Sequence, residues 1–163
     1  MRIAVVSDTH SRYATVRSAL GLLRQKNVEW VLHCGDIEDA ETVELFRGLP
    51  AHFVYGNCDT DQGALREAIA ANGLTLHEPF GHLELAGRNI AFTHGDDKTL
   101  LRDLEVSQAF DFLFYGHTHV AQEHRTGSTR VINPGALHRA RPKTFLVLDL
   151  NSGSMESVVV DAT

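Results

Sequence analysis

Apolar residues in this chain come in short continuous runs, and most of the runs stop at a glycine, an aspartate or a histidine. The first is Arg2-Ile3-Ala4-Val5-Val6-Ser7, whose unbroken apolar character fits a strand buried on both faces. It ends in Asp8-Thr9-His10. From Tyr13 to Gln25 the apolar positions are Val16, Ala19, Leu20 and Leu23, which is helical spacing. Trp30 to Cys34 reads as a second strand ending in Gly35-Asp36, and Asp39 to Phe46 as a helix closed by Gly48 and Pro50. A third strand, His52 to Tyr55, ends in Gly56-Asn57-Cys58-Asp59. Gly63 to Ala71 is then helical and stops at Asn72-Gly73. Alternating strands and helices predict a parallel sheet with right-handed crossovers. Ligands bind such sheets beyond the carboxyl ends of the strands, where all three polar clusters fall.

After residue 73 the pattern shortens. Leu74–Leu76 and His82–Leu85 read as brief strands, and Ala86-Gly87-Arg88 turns into Asn89–Phe92, which ends at Thr93-His94-Gly95-Asp96. Lys98 to Leu104 is helical. Phe112-Leu113-Phe114-Tyr115 is a strand ending in Gly116-His117-Thr118-His119. Strands at Ala121–Arg125, Thr129–Ile132, Phe145–Asp149 and Met155–Val160 follow, joined by close turns that predict an antiparallel, hairpin-rich sheet. The whole, 1–163, reads as one α/β domain of two packed sheets with helices outside.

Composition narrows the function classes. The 163 residues are 43% hydrophobic and 22% charged, as in ordinary soluble domains. No apolar run reaches membrane-span length. Met1-Arg2 leads straight into a strand, which reads as no signal peptide, so a cytoplasmic location is the default. Two cysteines, Cys34 and Cys58, make neither a disulfide framework nor a paired-cysteine zinc site. A formal charge of −6 with no lysine–arginine block argues against coating nucleic acid. It does not argue against an anionic substrate, because bound cations invert the local field. Oligomeric state is open, a homo-oligomer included.

The ten histidines carry the candidate chemistry. His117 and His119, two apart beyond a strand, leave it on similar headings. Taken singly, each polar cluster has a plain reading: Asp8 as a helix cap, Asp36 and Asn57 as turn formers, His94 as a structural histidine. Five in order, each after an apolar strand, are poorly explained that way.

The ordered set Asp8-x-His10, Gly35-Asp36, Gly56-Asn57-Cys58-Asp59, His94-Gly95 and Gly116-His117-Thr118-His119 closely resembles the calcineurin-like metallophosphoesterase family. The nearest branch is its small single-domain bacterial and archaeal phosphodiesterases, with the likeness running through Asn133-Pro134-Gly135 to the final strands. The resemblance implies a two-sheet α/β-β/α sandwich. It implies Asp8, His10, Asp36 and His119 as ligands of one metal, with Asp36 bridging to a second held also by Asn57, His94 and His117. The donors are carboxylate, amide oxygen and imidazole. They suit Mn²⁺ first and Fe²⁺, Zn²⁺, Co²⁺ or Ni²⁺ as alternatives, and a carboxylate has two oxygens with which to span cations roughly 3.5–4 Å apart. The implied reaction is in-line attack on a small phosphodiester by a hydroxide activated between the metals, with Asn57, Asp59 and His94 in the catalytic set.

Two positions depart from the family pattern. Cys58 stands where many members have a histidine that acts as general acid or phosphate binder, and Asp96 where many have another histidine. Cys58 and Arg12 are substrate-binding candidates. Arg12, Arg139 and Arg141 fall in loops from which a guanidinium could reach a phosphate, although solvated loop charge is the plain reading. His33 and His52 read as structural, and His77, His82, His124 and His138 as surface or loop residues. The competing function is a non-catalytic or weakly active interaction scaffold of the Vps29 type, in which the metal site is altered. This chain keeps all seven ligand positions.

Overall fold

The structure, a computed structural model, describes residues 1–160. The first half follows the expected alternation: β1 (Arg2–Val6), α1 (Tyr13–Gln25), β2 (Trp30–His33), α2 (Ala40–Leu45), β3 (Ala51–Phe53), α3 (Gln62–Ala71) and β4 (Thr75–Leu76). Helix starts are set by side-chain caps: Asp39 accepts from the Thr42 N–H and Asp61 from the Ala64 N–H. The second half holds β5 (Gly81–Leu85), β6 (Arg88–Phe92), α4 (Lys98–Val106), β7 (Phe112–Phe114), β8 (Gln122–Thr126), β9 (Thr129–Asn133), β10 (Thr144–Asp149) and β11 (Met155–Val159).

Two mixed sheets result. One has the order β11-β10-β1-β2-β3-β4 and the other β5-β6-β7-β9-β8. In the first, β1 to β4 run parallel, with Val6 opposite His33 and His33 opposite Phe53. That register brings the chain after β1, β2 and β3 out along one edge.

The second sheet differs from the expected antiparallel hairpin array. Only β5–β6 and β8–β9 are antiparallel; β6, β7 and β9 are parallel, with Phe92, Phe114 and Ile132 in register. The physical reason lies between the strands. Helix α4 crosses from β6 to β7, and the histidine loop with β8 separates β7 from β9, so neither pair is joined by a tight turn. Nor do β10 and β11 extend this sheet. β10 pairs antiparallel with β1, and its five buried residues Thr144–Leu148 suit an interior position between β1 and β11.

Alternation along β1 sorts the core. Ile3 and Val5 face the second sheet with Leu32, Val54, Phe92, Phe114 and Ile132, while Ala4 and Val6 face Val16, Leu20, Phe46 and Leu65 beneath the helices. A smaller cluster, including Leu104, Leu113 and Val131, seats α4 on the outer face of the second sheet. Burying one such Leu, Ile or Phe contributes about 1.5–3 kcal/mol, so the strand ends leave a stiff platform. Among the described residues no helix is long and apolar enough to cross a membrane.

Candidate metal centre

The loops that leave β1, β2, β3, β6 and β7 meet at one edge of the sandwich. Their backbones are unusual: Asp8, His10, Asp36, His117 and His119 all have φ between +44° and +66°. Positive φ costs energy in residues other than glycine and gathers at functional sites. Two glycines allow the loops to close up. A Cβ on Gly56 would lie 2.2 Å from Asp36 Oδ1, and one on Gly116 would lie 2.8 Å from Asp8 Oδ2.

All seven residues expected to bind metal come together, in two groups. Asp8, His10, Asp36 and His119 present ligand atoms that all lie within 4.8 Å of one another. In the second group Asn57 Oδ1 lies 3.0 Å from His94 Nε2 and 2.9 Å from His117 Nδ1. Asp36 belongs to both, since its Oδ2 is 3.4 Å from His10 Nε2 and 3.4 Å from His94 Nε2. A carboxylate can span two cations with both of its oxygens. In the structure Asp36 Oδ1 accepts the Cys58 N–H at 2.8 Å, so Oδ2 alone faces both groups. Asp8 is arranged alike: Oδ2 accepts the His117 N–H at 3.2 Å, leaving Oδ1 3.2 Å from His119 Nε2.

The hydrogen bonds behind the histidines decide which nitrogens face inward. His10 Nδ1 donates to Glu38 at 2.7 Å, and His94 Nδ1 donates to the Cys34 carbonyl at 2.8 Å. Each neutral ring then aims the lone pair of Nε2 at carboxylate or amide oxygen. Acceptors facing acceptors call for a shared cation or a proton. Asp8 Oδ1 and His10 Nε2 are buried without any hydrogen-bond partner. A histidine that ligates metal characteristically donates its other N–H to a carboxylate or carbonyl. The orphaned atoms, the donor set and this outer shell therefore fit divalent cations.

The charges fit as well. Burial raises the Asp8 pKa, with Asp36 among the groups that add to the shift. Burial would also raise Asp36, but the His94 hydrogen bond and charge, the Cys58 N–H and His10 outweigh it and hold Asp36 well below the usual carboxylate range. His94 moves the other way. Burial opposes its charged form, yet Asp36, the Cys34 carbonyl and Asp8 raise it to about 9. Where no cation is bound, a proton on His94 does part of a cation's work.

Of the remaining candidates, Cys58 and Arg12 line an open cleft of about 390 Å³ over the centre. The Cys58 thiol is pushed up to about 11 by burial and then by the Asp36 charge, so it is neutral at pH 7. Asp59 sits elsewhere than expected of a group acting on substrate. It is buried, and its Oδ1 accepts the Ile37 and Glu38 N–H groups, both at 2.7 Å. Its Oδ2 accepts the Gly56 N–H at 2.7 Å and the Asp36 N–H at 3.0 Å. Asp59 therefore braces the Asp36 loop from behind. Asp96 is exposed and borders a different, smaller cavity with Tyr55, His77 and Glu78.

Two residues escaped the sequence reading. Glu38, which orients His10, lies two positions after Asp36, and its φ of +78° has no mark in the sequence. His138 reads as a loop residue yet lines the cleft, its ring centroid 4.8 Å from that of His10. The only signal for it was its place three residues after Asn133-Pro134-Gly135. His33 is buried as expected, its Nε2 3.0 Å from Thr9 Oγ1.

Comparisons with known proteins point to phosphoesterases. Phosphodiesterase MJ0936 of Methanocaldococcus jannaschii is 32% identical over 138 residues, 83% of each chain. Phosphodiesterase YfcE of Escherichia coli K12 is 26% identical over 172 residues, covering 91% of this chain and 88% of YfcE. A solved archaeal phosphodiesterase superposes with a TM-score of 0.91 at 27% identity, over 98% of this chain and 100% of its own. Zinc-complexed Vps29 of Entamoeba histolytica covers 100% of both chains with a TM-score of 0.68 at 21% identity, which is a likeness of fold. The family model described as the calcineurin-like phosphoesterase superfamily domain matches residues 1–153. With that match, the relatives and the folded edge of carboxylates and imidazoles in agreement, the chain belongs to the calcineurin-like phosphoesterase superfamily.

Proposed function

We propose that this chain is a single catalytic unit, a metal-dependent phosphodiesterase with a dinuclear centre. The ligands are Asp8, His10, Asp36 and His119 at one site, and Asp36, Asn57, His94 and His117 at the other. The observation that carries the reading is Asp36 Oδ2, 3.4 Å from an imidazole nitrogen of each group, with its sister oxygen tied to a backbone N–H. Two divalent cations, when bound, neutralise charge on the phosphoryl oxygens and make water acidic enough to be the nucleophile at neutral pH.

The chain's own residues do the rest. Glu38 and the Cys34 carbonyl hold His10 and His94 in the tautomers that face the centre. Asn133 Nδ2 donates to the Gly116 carbonyl at 2.7 Å and so fixes the loop that carries His117 and His119. Arg12 and Arg139 put positive charge on the cleft wall, where a diester phosphate would lie. Burial pushes the Cys58 thiol up, which works against a thiolate nucleophile at that position. A thiol cannot become the cationic acid that a histidine can. Diesters with acidic leaving groups, such as aryl diesters, are therefore the expected substrates, and alkyl monoesters poor ones. Ligand completeness favours this over a Vps29-type scaffold. The oxygen and nitrogen donor set favours Mn²⁺, with Fe²⁺, Zn²⁺, Co²⁺ or Ni²⁺ as alternatives.

The test is to strip the protein with a chelator and reload it with Mn²⁺ while following an aryl phosphodiester. Stripping should abolish hydrolysis and reloading restore it. Asp36→Asn should lose metal from both sites, more than His10→Ala does. Full activity after stripping, or two metal equivalents and normal rates in Asp36→Asn, would overturn the dinuclear reading.

A further inference from the structure

Part of the wall of the cleft is built by two loops far apart in sequence. Arg12 follows β1 and His138 follows β9, 126 positions later. Their meeting is anchored: the Leu137 N–H donates to the Ser7 carbonyl at 3.2 Å, and the Leu137 side chain is buried. His138 is thereby held at the rim of the Asp8 loop. Its ring centroid lies 4.8 Å from that of His10 and 6.3 Å from that of His119.

Arg12 Nε donates to His138 Nδ1 at 3.1 Å. A guanidinium has donors only and does not deprotonate in proteins. His138 Nδ1 must therefore carry its lone pair, and the ring's hydrogen sits on Nε2. A proton added at Nδ1 would break this bond and set a second cation against Arg12. Among the described residues Nε2 makes no hydrogen bond. Donation from Arg12 also draws electron density from the ring, which strengthens Nε2–H as a donor.

What this wall offers is therefore donors: His138 Nε2–H, the rest of the Arg12 guanidinium, and Arg139, which lines the same cleft. Cys58, which lines the same cleft, adds only a weak thiol donor. An occupant matched to such a wall is an oxygen-rich anion.

We propose that His138 is a substrate-contacting hydrogen-bond donor, a neutral imidazole whose Nε2–H binds a phosphoryl oxygen of the diester, with Arg12 as the residue that fixes its tautomer. This rests on the phosphodiesterase reading and supplies, from a different loop, an imidazole that position 58 lacks. The role is electrophilic. A neutral imidazole N–H stabilises charge on oxygen without giving up its proton, so it leaves the preference for acidic leaving groups intact.

The test has two arms, both on the 163-residue chain. Ring ¹⁵N shifts of the Zn²⁺-loaded form read the tautomer. At pH 7, Nδ1 of His138 should be bare and Nε2 protonated, that preference should weaken in Arg12→Ala, and inorganic phosphate should shift the Nε2 resonance. A protonated Nδ1, or no response to phosphate, overturns the proposal whatever the activity. In the second arm, with Mn²⁺ and an aryl diester, His138→Ala should lower kcat/KM about ten- to a hundredfold, the size of a lost hydrogen bond to charge, at unchanged metal content. His138→Gln, which keeps an amide donor, should recover part of the loss. Because Arg12 both holds His138 and puts its own charge on the cleft wall, the Arg12→Ala, His138→Ala double variant should lose less than the product of the two single losses. A His138→Ala rate within twofold of wild type, or a double-variant loss equal to or larger than the product of the single losses, also overturns it. Wild-type protein that hydrolyses no diester with any of the metals defeats the phosphodiesterase reading alone, and the ¹⁵N arm still decides for His138.

Discussion

Asp59→Asn is the substitution whose consequence the structure makes most definite. The Asp59 carboxylate takes four backbone N–H groups, two on each oxygen, at 2.7 to 3.0 Å. An asparagine has one oxygen and one NH₂ at the same places. Whichever way the amide turns, its NH₂ meets two N–H donors, either those of Ile37 and Glu38 or those of Asp36 and Gly56. An unsatisfied buried donor costs about 1–3 kcal/mol, and the two surviving bonds lose their charge assistance. After local relaxation the loss should be about 3 kcal/mol, a large part of the ~5–15 kcal/mol that holds a domain together. For a chain of this length that lowers Tm by roughly 6–12 °C. Urea unfolding of chelator-treated protein at pH 7 measures it, with Asp61→Asn as the control. Asp61 caps α3 through the Ala64 N–H at 3.0 Å, and asparagine caps as well as aspartate. The second readout is metal. Asp59→Asn should bind Mn²⁺ more weakly, because Asp36 and Gly56 lose their brace, and should regain activity when Mn²⁺ is saturating. A stability loss under about 1 kcal/mol, or activity that stays low with both metals bound, would refute the bracing role and return Asp59 to the reacting atoms.

Two further outcomes follow from particular residues. Cys58→Ala should keep aryl diester hydrolysis within about tenfold of wild type at full metal occupancy, since burial disfavours the thiolate and a thiol is never a cationic acid; a thousandfold loss would mean direct participation. Acid should destabilise the metal-free protein through His33, which burial, and then the His94 charge, hold down at about 3. The unfolded chain takes up that proton near ~6.5, so below this pH it binds more protons than the folded one. The His33 contribution is complete above ~6.5 and falls by roughly 1.4 kcal/mol per pH unit as the pH drops towards 3. Urea midpoints at pH 7, 5.5 and 4.5 check the sign, and a level or rising trend on acidification would contradict it.

Read alone, the amino-acid sequence determined what is local. Helix α1 begins and ends where the spacing of Val16, Ala19, Leu20 and Leu23 places it, and β1 and β2 stop just before Asp8 and Gly35, whereas β3 ends at Phe53, short of the expected Tyr55. These features are legible because apolar period and chain-breaking residues act within a few positions. The five polar clusters were legible for the same reason, since each marks a strand's carboxyl end and parallel strands in register put those ends on one edge, while the choice of seven ligands among them came from the resemblance to the phosphoesterase family. Tertiary structure decided everything that depends on which loop meets which. The parallel run β6-β7-β9 and the insertion of β10 beside β1 are set by crossover paths and two-sided burial, for which adjacent residues carry no signal. The single-oxygen sharing by Asp36 follows from a Cys58 N–H 22 positions away, and the bracing by Asp59 from backbone groups on the loop after β2. His138 looked like a loop residue because its partner, Arg12, is 126 positions distant. Hydrogen bonds of that span are fixed only when the packed sheets have closed their loops over one edge, so no pattern along the chain could announce them.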